Sequence, residues 1–184
     1  DVAGQKGILG GDEGYLNRLN ALFTAPIQTT GRIQPDITGL IGQYAHGNEP
    51  SHHVAYLASY AGDPGATAER VTTICRDMYA NAPDGLCGNE DCGQMSAWFV
   101  WSALGMYPVE PGSGEVVLGS PMFKRTVIRP EGALEATEIR ARGLSDAAKY
   151  ITGLRWHDAQ GTSSPVLKRA FVPVSDLTQG GLLE

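Results

Sequence analysis

The most chemically suggestive part of the chain is an acidic loop at residues 87–94. It reads Cys-Gly-Asn-Glu-Asp-Cys-Gly-Gln, so Asn89, Glu90 and Asp91 lie between two glycines. Glycine allows a backbone to turn sharply and to approach a ligand closely. An apolar run at residues 95–104 follows and predicts a buried helix. A carboxylate at the start of such a helix is suited to act as a general base.

The same loop has a purely structural interpretation. Asp91 could be the N-cap of the following helix, with Gln94, three residues on, as its capping-box partner. Cys87 and Cys92 flank the loop. A disulfide between them would fix the loop and would fit an oxidising compartment, whereas the alternative is that both are small buried hydrophobic residues. The residues alone leave both questions open.

A second polar cluster occupies residues 46–53, where three of the four histidines of the chain fall within eight positions. On an α-helix that begins near Glu49, Glu49 and His53 would share a face, and His52 would point about 100° away. A metal site made of His46, Glu49 and His53 is one interpretation, although the HExxH pattern of zinc proteases is absent. The alternative is that Asn48 caps the helix and Glu49 complements its dipole. That alternative leaves the histidines unexplained, so a ligand-binding site is favoured.

The overall composition is that of an ordinary folded protein. The 184 residues are 42% hydrophobic and 18% charged, with a net charge of -6 and a pI near 5.2. This balance gives no electrostatic reason to expect a nucleic acid or an anionic membrane as a partner. No apolar run has the length of a membrane span. The chain starts at Asp1 and ends on an apolar pair before Glu184, and we expect it to be a segment of a longer protein.

Hydrophobic spacing predicts helices in the first part of the chain and strands in the second. Asp12 is expected to cap the first helix, which ends before Pro26, and a loop extends to about His46. Further helices are predicted at about 49–61, 67–80 and 95–104. Short β-rich runs follow at 115–118, 126–128, 138–141 and 149–152, with a further candidate at 166–172. The predicted fold class is α+β, with helices in residues 1–108 and an antiparallel β-rich region in residues 109–184.

The two polar motifs together resemble the α-mannosidases of glycoside hydrolase family 92. The matching segments are residues 42–53 and 88–98, then 102–108 and 119–123. The resemblance covers nearly the whole chain, and the two long motifs are too specific to arise readily by chance.

The resemblance implies a calcium-dependent exo-α-mannosidase that inverts the anomeric centre of a terminal mannose in a glycan. It implies that the helices are the last ones of an (α/α)6 toroid, followed by strands of a sandwich-like region. An N-terminal β-sandwich and the early toroid helices would lie elsewhere in the same polypeptide, so we expect the isolated chain to be inactive. A glycan substrate suggests a secreted, periplasmic or cell-surface protein.

The resemblance also implies roles for individual residues. Asp91 matches the general base, and Asn89 stands where the family often has a second acid. Asn89 cannot raise the pKa of Asp91 by like charge, so it would act through hydrogen bonds to the water or to Asp91. Glu90 would position the substrate. The general acid is expected upstream of Asp1, and Glu49 is the one strong substitute within the chain.

The remaining predicted site residues surround the sugar and the cation. Asn48 and Glu49 offer the oxygen ligands that calcium prefers. The side chains expected to line the sugar pocket are those of His46, His52, His53, Gln94 and Trp98, although Trp98 could equally belong to the core.

Three alternatives differ in class. A non-catalytic carbohydrate- or calcium-binding module would use the same pocket without turnover. Another glycosidase built on an (α/α)6 toroid would share the helices. A zinc enzyme built on the histidine cluster is a third interpretation.

Overall fold

The computed structural model of the chain describes residues 1–28, 30–32, 34–129, 131 and 135–184. It divides into two compact units, Asp1–Val100 and Trp101–Glu184. The division lies about eight residues before the predicted change from helices to strands. The reason is that Trp101 and Leu104, which follow the helical pattern, pack against the strand core of the second unit. Within the described residues, no helix is long and apolar enough to cross a membrane.

Helices dominate the first unit. Its elements are α1 (Val2–Ile8), α2 (Gly11–Thr24), the two-stranded hairpin β1 (Leu40–Ile41) and β2 (Tyr44–Ala45), a 3₁₀ helix (Glu49–Ala61), α3 (Pro64–Asp77) and α4 (Gln94–Ala103), which continues into the second unit. The four helices predicted from the sequence are therefore confirmed at nearly their predicted positions. α1 and the hairpin were not predicted.

Helix capping at α2 differs from the prediction. Asp12 lies inside the first turn of α2 and forms an ion pair with Lys6 at 2.5 Å, because the helix begins earlier, after the left-handed Gly10. At α3 the N-cap has the usual form. The Asp63 carboxylate accepts a hydrogen bond from the Ala66 amide at 2.9 Å, with a proline at the first helical position.

The hairpin β1–β2 attaches to the end of α2. Its turn residue Gly42 has a φ of 59°, and a Cβ there would lie 2.5 Å from the Leu22 carbonyl oxygen, so only glycine fits. The Gln43 amide donates to the same carbonyl at 2.8 Å. Next along the strand, the Tyr44 ring stacks on Phe23 at 4.8 Å between centroids. These contacts fix the direction in which the chain enters the histidine motif.

The segment predicted as the second α-helix is wound as a 13-residue 3₁₀ helix. Such runs rarely exceed four residues, and residues three apart are aligned along the axis. One aligned row, made of His52, Ala55, Ala58 and Ala61, is buried throughout, and the whole stretch 55–59 is buried as well. The helix ends at the left-handed Gly62.

Two small sheets form the second unit. β3 (Met106–Tyr107), β4 (Glu115–Leu118) and β8 (Phe171–Pro173) make an antiparallel sheet in the order β3-β4-β8. β5 (Arg125–Ile128), β6 (Thr137–Arg140), β9 (Gly181–Leu183) and β7 (Trp156–His157) make the other, in the order β5-β6-β9-β7. The β6–β9 pair is parallel, which corrects the prediction of an antiparallel region. A short helix, α5 (Val174–Thr178), was not predicted.

The predicted strands at 115–118, 126–128 and 138–141 are confirmed, and the candidate at 166–172 is found later, at β8. The strand predicted at 149–152 is wrong. The residues on either side form only isolated bridges: Ala148 pairs with Ser145 across a tight turn, and Leu154 pairs with Leu167, 13 positions later.

The core of the second unit is a single apolar cluster between strands and α5. Its buried members are Met106, Val116, Leu118, Ile139, Leu154, Val172, Leu177 and Leu183.

Replacing a valine inside this cluster should cost more than replacing one outside it. Val116 is fully buried on β4, whereas Val127 on β5 is 50% exposed. We expect Val116→Ala to lower the free energy of unfolding by about 2 kcal/mol, because it removes buried methyl groups and leaves a cavity. Val127→Ala should lower it by less than about 1 kcal/mol. Urea unfolding measures both; equal losses would contradict the assigned core.

Candidate functional site

The two polar motifs touch at a pair of glycines. A Cβ on Gly88 would lie 2.8 Å from the Gly47 Cα, and one on Gly47 would lie 1.9 Å from the Thr38 Oγ1. A side chain at Gly88 would push the motifs apart, and one at Gly47 would displace Thr38. Both motifs therefore start from one point of backbone contact. The sequence carries a signal for this contact that the predictions above did not use, since both sites read Gly-Asn-Glu, at 47–49 and at 88–90.

The winding of the 3₁₀ helix changes which side chains share a face at the first motif. With three residues per turn, Glu49 aligns with His52 and not with His53. His52 is accordingly 1% exposed, whereas His53 is exposed. The predicted pairing of Glu49 with His53 assumed α-helical winding and is corrected by the 3₁₀ geometry. Asn48 occupies the N-cap position, but its side chain makes no capping hydrogen bond, so the predicted cap is also corrected.

The acidic loop holds an uncommon backbone conformation. Asp91 and Cys92 have φ values of 47° and 57°, and Gly93 follows with 97°. The left-handed region costs a non-glycine residue on the order of 1 kcal/mol, and such strain tends to collect at functional sites. The loop closes through the Asp91 carbonyl, which accepts from the Gln94 amide at 3.2 Å.

The carboxylate that caps α4 belongs to Glu90. Its two oxygens accept from the Ser96 amide at 3.1 Å and from the Ser96 hydroxyl at 2.9 Å. The capping role predicted for Asp91 is thus taken by its neighbour. Within the described part of the chain, the exposed Asp91 carboxylate has no hydrogen bond or ion pair to the protein. A free, exposed carboxylate on a strained turn is available to bind a water molecule or a ligand.

Asn89 is an exposed residue of the same loop. Its amide nitrogen donates to the Asp36 carboxylate at 3.5 Å. Asp36 was not among the predicted site residues. Its position in the long loop before the hairpin gave no local signal, because the contact joins residues that are 53 positions apart.

His46 lies in the core of the first unit with no exposed surface. Tyr44 donates its hydroxyl to His46 Nδ1 at 2.8 Å. On the other side, His46 Nε2 lies 2.7 Å from the Tyr79 hydroxyl, which donates to the Met95 carbonyl at 3.1 Å. Because the Tyr79 proton is directed to Met95, the Tyr79 oxygen accepts from His46. The imidazole is therefore the neutral Nε2–H tautomer.

The protonated form of His46 is disfavoured by its surroundings. Burial, and then the neighbouring imidazole of His52, lower the His46 pKa to about 3. Burial also lowers the pKa of His52, whose Nε2 donates to the His46 carbonyl at 3.1 Å. The two rings stack at 4.7 Å between centroids.

Two more predicted pocket residues belong to the same cluster. The side-chain amide nitrogen of Gln94 donates to His52 Nδ1 at 3.4 Å. The Trp98 indole donates to the His52 backbone carbonyl at 3.1 Å. Trp98 is fully buried and meets His46 edge-on at 4.3 Å. His46, His52 and Trp98 thus form the support beneath the motifs, with their ring N–H groups bonded to protein. Direct contact with a sugar stays a prediction for these three residues and for His53, Glu90 and Gln94.

The three cysteines are free thiols. Cys87 packs its sulfur against Gly39, where a Cβ would approach it to 2.5 Å, while Cys92 is exposed. The disulfide considered from the sequence is therefore not formed. Cys87 behaves as the alternative interpretation expected, as a small packing residue, and burial raises its thiol pKa.

Two buried oxygens near the glycine contact have no protein partner. They are Glu49 Oε1 and Thr38 Oγ1, each without a hydrogen bond in the described chain. Leaving such a group unsatisfied costs about 1–3 kcal/mol, so a water, a hydroxyl or a cation is expected there. No three His, Cys, Asp or Glu side chains converge as a metal group among the described residues. Calcium accepts amide, carbonyl and water oxygens as well as carboxylates.

Comparison with known proteins identifies the family. The family model of the glycosyl hydrolase family 92 catalytic domain matches residues 1–184. This chain belongs to glycosyl hydrolase family 92. The family 92 chain is similar in structure to the GH92 alpha-mannosidase BT3965 from Bacteroides thetaiotaomicron in complex with mannoimidazole. The TM-score is 0.83 and the identity 36%, over 94% of this chain and 22% of that one.

Two further relatives extend the comparison. The GH92 inverting mannosidase BT2199 from Bacteroides thetaiotaomicron matches the family 92 chain with a TM-score of 0.78 and 33% identity, over 100% of this chain and 25% of its own. An uncharacterized secreted glycosidase from Arthroderma benhamiae is 32% identical over 83 residues, which are 45% of this chain and 11% of that protein. The family 92 chain thus spans a quarter or less of the length of these relatives.

Acid should destabilise the first unit through His46. The unfolded chain binds this proton near the ordinary pKa of 6.5, and the folded chain binds it only near 3. Stability from this group is therefore present above pH 6.5 and is lost as the pH falls towards 3, by about 1.4 kcal/mol per pH unit. Urea unfolding between about pH 7 and pH 5 should show the loss.

The matched variants for this test are His46→Gln and His53→Gln. The first should make the dependence of unfolding free energy on pH less steep, with the remaining slope due to the lowered pKa of His52. The second should change the slope much less, because His53 adds only a smaller Coulombic effect to the pKa of His52. An unchanged slope in His46→Gln would contradict the assignment.

Proposed function

We propose that this chain is the C-terminal part of the catalytic domain of an inverting, calcium-dependent exo-α-mannosidase, with Asp91 as general base. Family membership supports a glycosidase, and the similarity to an α-mannosidase and to an inverting mannosidase supports mannose as the sugar removed. The observation that carries the assignment of Asp91 is its exposed carboxylate, free of protein partners in the described chain, on a left-handed turn.

The proposed chemistry is a single displacement. Asp91 removes a proton from a water molecule, whose oxygen attacks the anomeric carbon on the face opposite the leaving oxygen. A general acid gives its proton to that leaving oxygen as the glycosidic bond breaks. Glu90, bonded to Ser96, holds the start of α4 and so fixes the turn that presents Asp91. Asn89 flanks the base and donates to Asp36, which orients its amide.

The general acid must stand across the bond from the base. Inverting enzymes separate the two carboxyl groups by about 6.5–9.5 Å to admit the water. We propose that the acid lies in the part of the polypeptide that this chain does not include. Glu49 remains the one candidate acid within it.

Calcium is proposed to bind beside the first motif. The orphaned Oε1 of Glu49 fits a hard cation, and the Asn48 side chain, free of a capping bond, offers an amide oxygen. When bound, calcium would polarise sugar hydroxyls and help to distort the ring. His53, Glu90 and Gln94 are proposed to contact the terminal mannose directly.

The wider architecture is proposed on the same basis. The helices would be the last ones of an (α/α)6 toroid whose early helices, with an N-terminal β-sandwich, belong to the rest of the polypeptide. The substrate would be a glycan ending in α-mannose. A secreted, periplasmic or cell-surface location is supported by the secreted glycosidase among the relatives.

Replacing the proposed base tests the mechanism. In the whole protein, Asp91→Asn should lower kcat for an α-mannoside by about 10²–10⁴-fold, because the attacking water loses its proton acceptor. Its unfolding free energy should stay within about 0.5 kcal/mol of the parent value, since no protein hydrogen bond is lost. The matched control is Asp84→Asn, the same change at an exposed position in the same unit, which should retain kcat. Undiminished turnover in Asp91→Asn would refute the assignment.

Removing calcium tests the cofactor. Treatment of the whole protein with a chelator should lower kcat/KM at least about tenfold, and added calcium should restore it, because the cation helps to distort the bound sugar. Glu49→Gln should raise the calcium concentration needed for half activity, whereas Glu13→Gln, at an exposed position on α2, should not. Full activity in the chelator would argue against a calcium enzyme.

A further inference from the structure

Tyr79 lies between the two motifs in the sequence and belongs to neither. It follows α3 and opens a tight turn in which Ala80 donates its amide to the Gly85 carbonyl at 2.8 Å. Tyr79 pairs with Leu86 in an antiparallel bridge across this turn. Leu86 is the residue immediately before the acidic loop, so the backbone of Tyr79 holds the point where that loop begins.

The side chain of Tyr79 holds the point where the loop ends. Its hydroxyl donates to the carbonyl of Met95, the residue immediately after the loop, at 3.1 Å. The same oxygen accepts from His46 Nε2 at 2.7 Å, which ties it to the first motif. The ring supports the same contact, lying nearly parallel to Trp98, with an interplanar angle of 7° and centroids 6.0 Å apart, and against Phe99 at 4.8 Å.

We propose that Tyr79 is a positioning residue for the general base: it clamps both ends of the acidic loop, residues 87–94, and locks them to the histidine motif. This inference rests on the proposed role of Asp91. Between the clamped ends the loop contains three left-handed residues in succession. A strained turn of this kind keeps its conformation only when its surroundings fix both ends. The hydroxyl therefore sets the position of the Asp91 carboxylate, and misplacing a catalytic group by about 1 Å can cost a factor of about 10² in rate.

Two tyrosine variants separate positioning from general loss of stability. Tyr79→Phe keeps the ring and removes the hydroxyl. Tyr44→Phe is the matched control, because it removes a buried hydroxyl bonded to the other nitrogen of His46. The Tyr44 hydrogen bond joins the hairpin to the first motif, whereas the Tyr79 hydrogen bond to Met95 reaches the end of the acidic loop.

In the whole protein, with 4-nitrophenyl α-mannoside as substrate, Tyr79→Phe should lower kcat by about 10- to 100-fold and change KM by less than about threefold. Tyr44→Phe should lower the melting temperature to a similar extent but keep kcat within about threefold. A purely structural role for Tyr79 would give the same kcat in both variants and would overturn the proposal.

A double variant separates this proposal from the proposed mechanism. If Tyr79 acts through the base, Tyr79→Phe should cause no further loss of kcat when Asp91 is already asparagine. Full activity in Asp91→Asn alone would remove the base assignment and the clamp together. A large loss in Asp91→Asn with equal kcat in the two tyrosine variants would leave the base in place and reject only the clamp.

Hydrogen exchange of the unmodified protein provides a measurement that does not depend on a variant folding. The Ala80 amide reports the turn at the start of the loop, and the Met95 amide, which donates to the Glu90 carbonyl, reports its end. If Tyr79 holds both ends of the loop, the Ala80 and Met95 amides should become exposed to exchange together. Their protection factors should then lie within about tenfold of each other. Opening of either amide independently, with a larger difference, would overturn the proposal.

Discussion

The neutral imidazole of His46 is the contact on which the first unit depends. Its two nitrogens are bonded to tyrosine hydroxyls that come from different segments, one on the hairpin and one after α3. Its faces meet another imidazole and an indole. A proton on this ring would require both nitrogens to donate, and the hydroxyl of Tyr44 would then have to reverse its direction. The burial that lowers the pKa of His46 and the hydrogen bonds of its two partners therefore both favour the neutral ring.

Above this ring, the backbones of the two motifs meet at Gly47 and Gly88. The contact explains why polar residues that are 41 positions apart in the chain can serve one site. The residues around this contact have different roles. Buried rings support the motifs, and Glu90 fixes the start of a helix. The exposed Asp91 carboxylate has no hydrogen bond or ion pair to the part of the chain that the structure describes. A carboxylate with no structural task can be used for chemistry without loss of stability.

Much of this arrangement could be predicted from the sequence, and what failed has identifiable causes. The acidic loop was located correctly because its glycines and carboxylates act locally. Caps at Asp12, Asn48 and Asp91 were predicted from residue type alone. The helices near Asp12 and Asp91 begin at other residues than predicted, and Asn48 stands at the N-cap position without the side-chain hydrogen bond of a cap. The strand expected at 149–152 did not form because the residues on either side make only isolated bridges, at Ala148 and at Leu154. The hairpin before His46 was missed because two-residue strands leave almost no pattern.

The histidines show the limit of sequence patterns most clearly. Their clustering predicted a ligand site, but the partners that bury His46 come from positions 44, 79 and 98, which no local spacing connects. The family resemblance was shown by comparison, whereas the assignment of a role to each residue still needed the geometry. Glu49 and His52 share a face only in a helix of three residues per turn, and apolar spacing cannot distinguish that winding from an α-helix.

The 3₁₀ winding of Glu49–Ala61 has a consequence for distance. At about 2.0 Å per residue, 13 residues span about 26 Å, whereas an α-helix of the same length would span about 20 Å. The segment therefore reaches about 6 Å further for the same number of residues. With Gly62 held at the start of α3, rewinding to an α-helix would draw Glu49 back by roughly that amount. The first motif would then separate from Gly88, so the helix acts as a spacer whose pitch determines whether the two halves of the site meet.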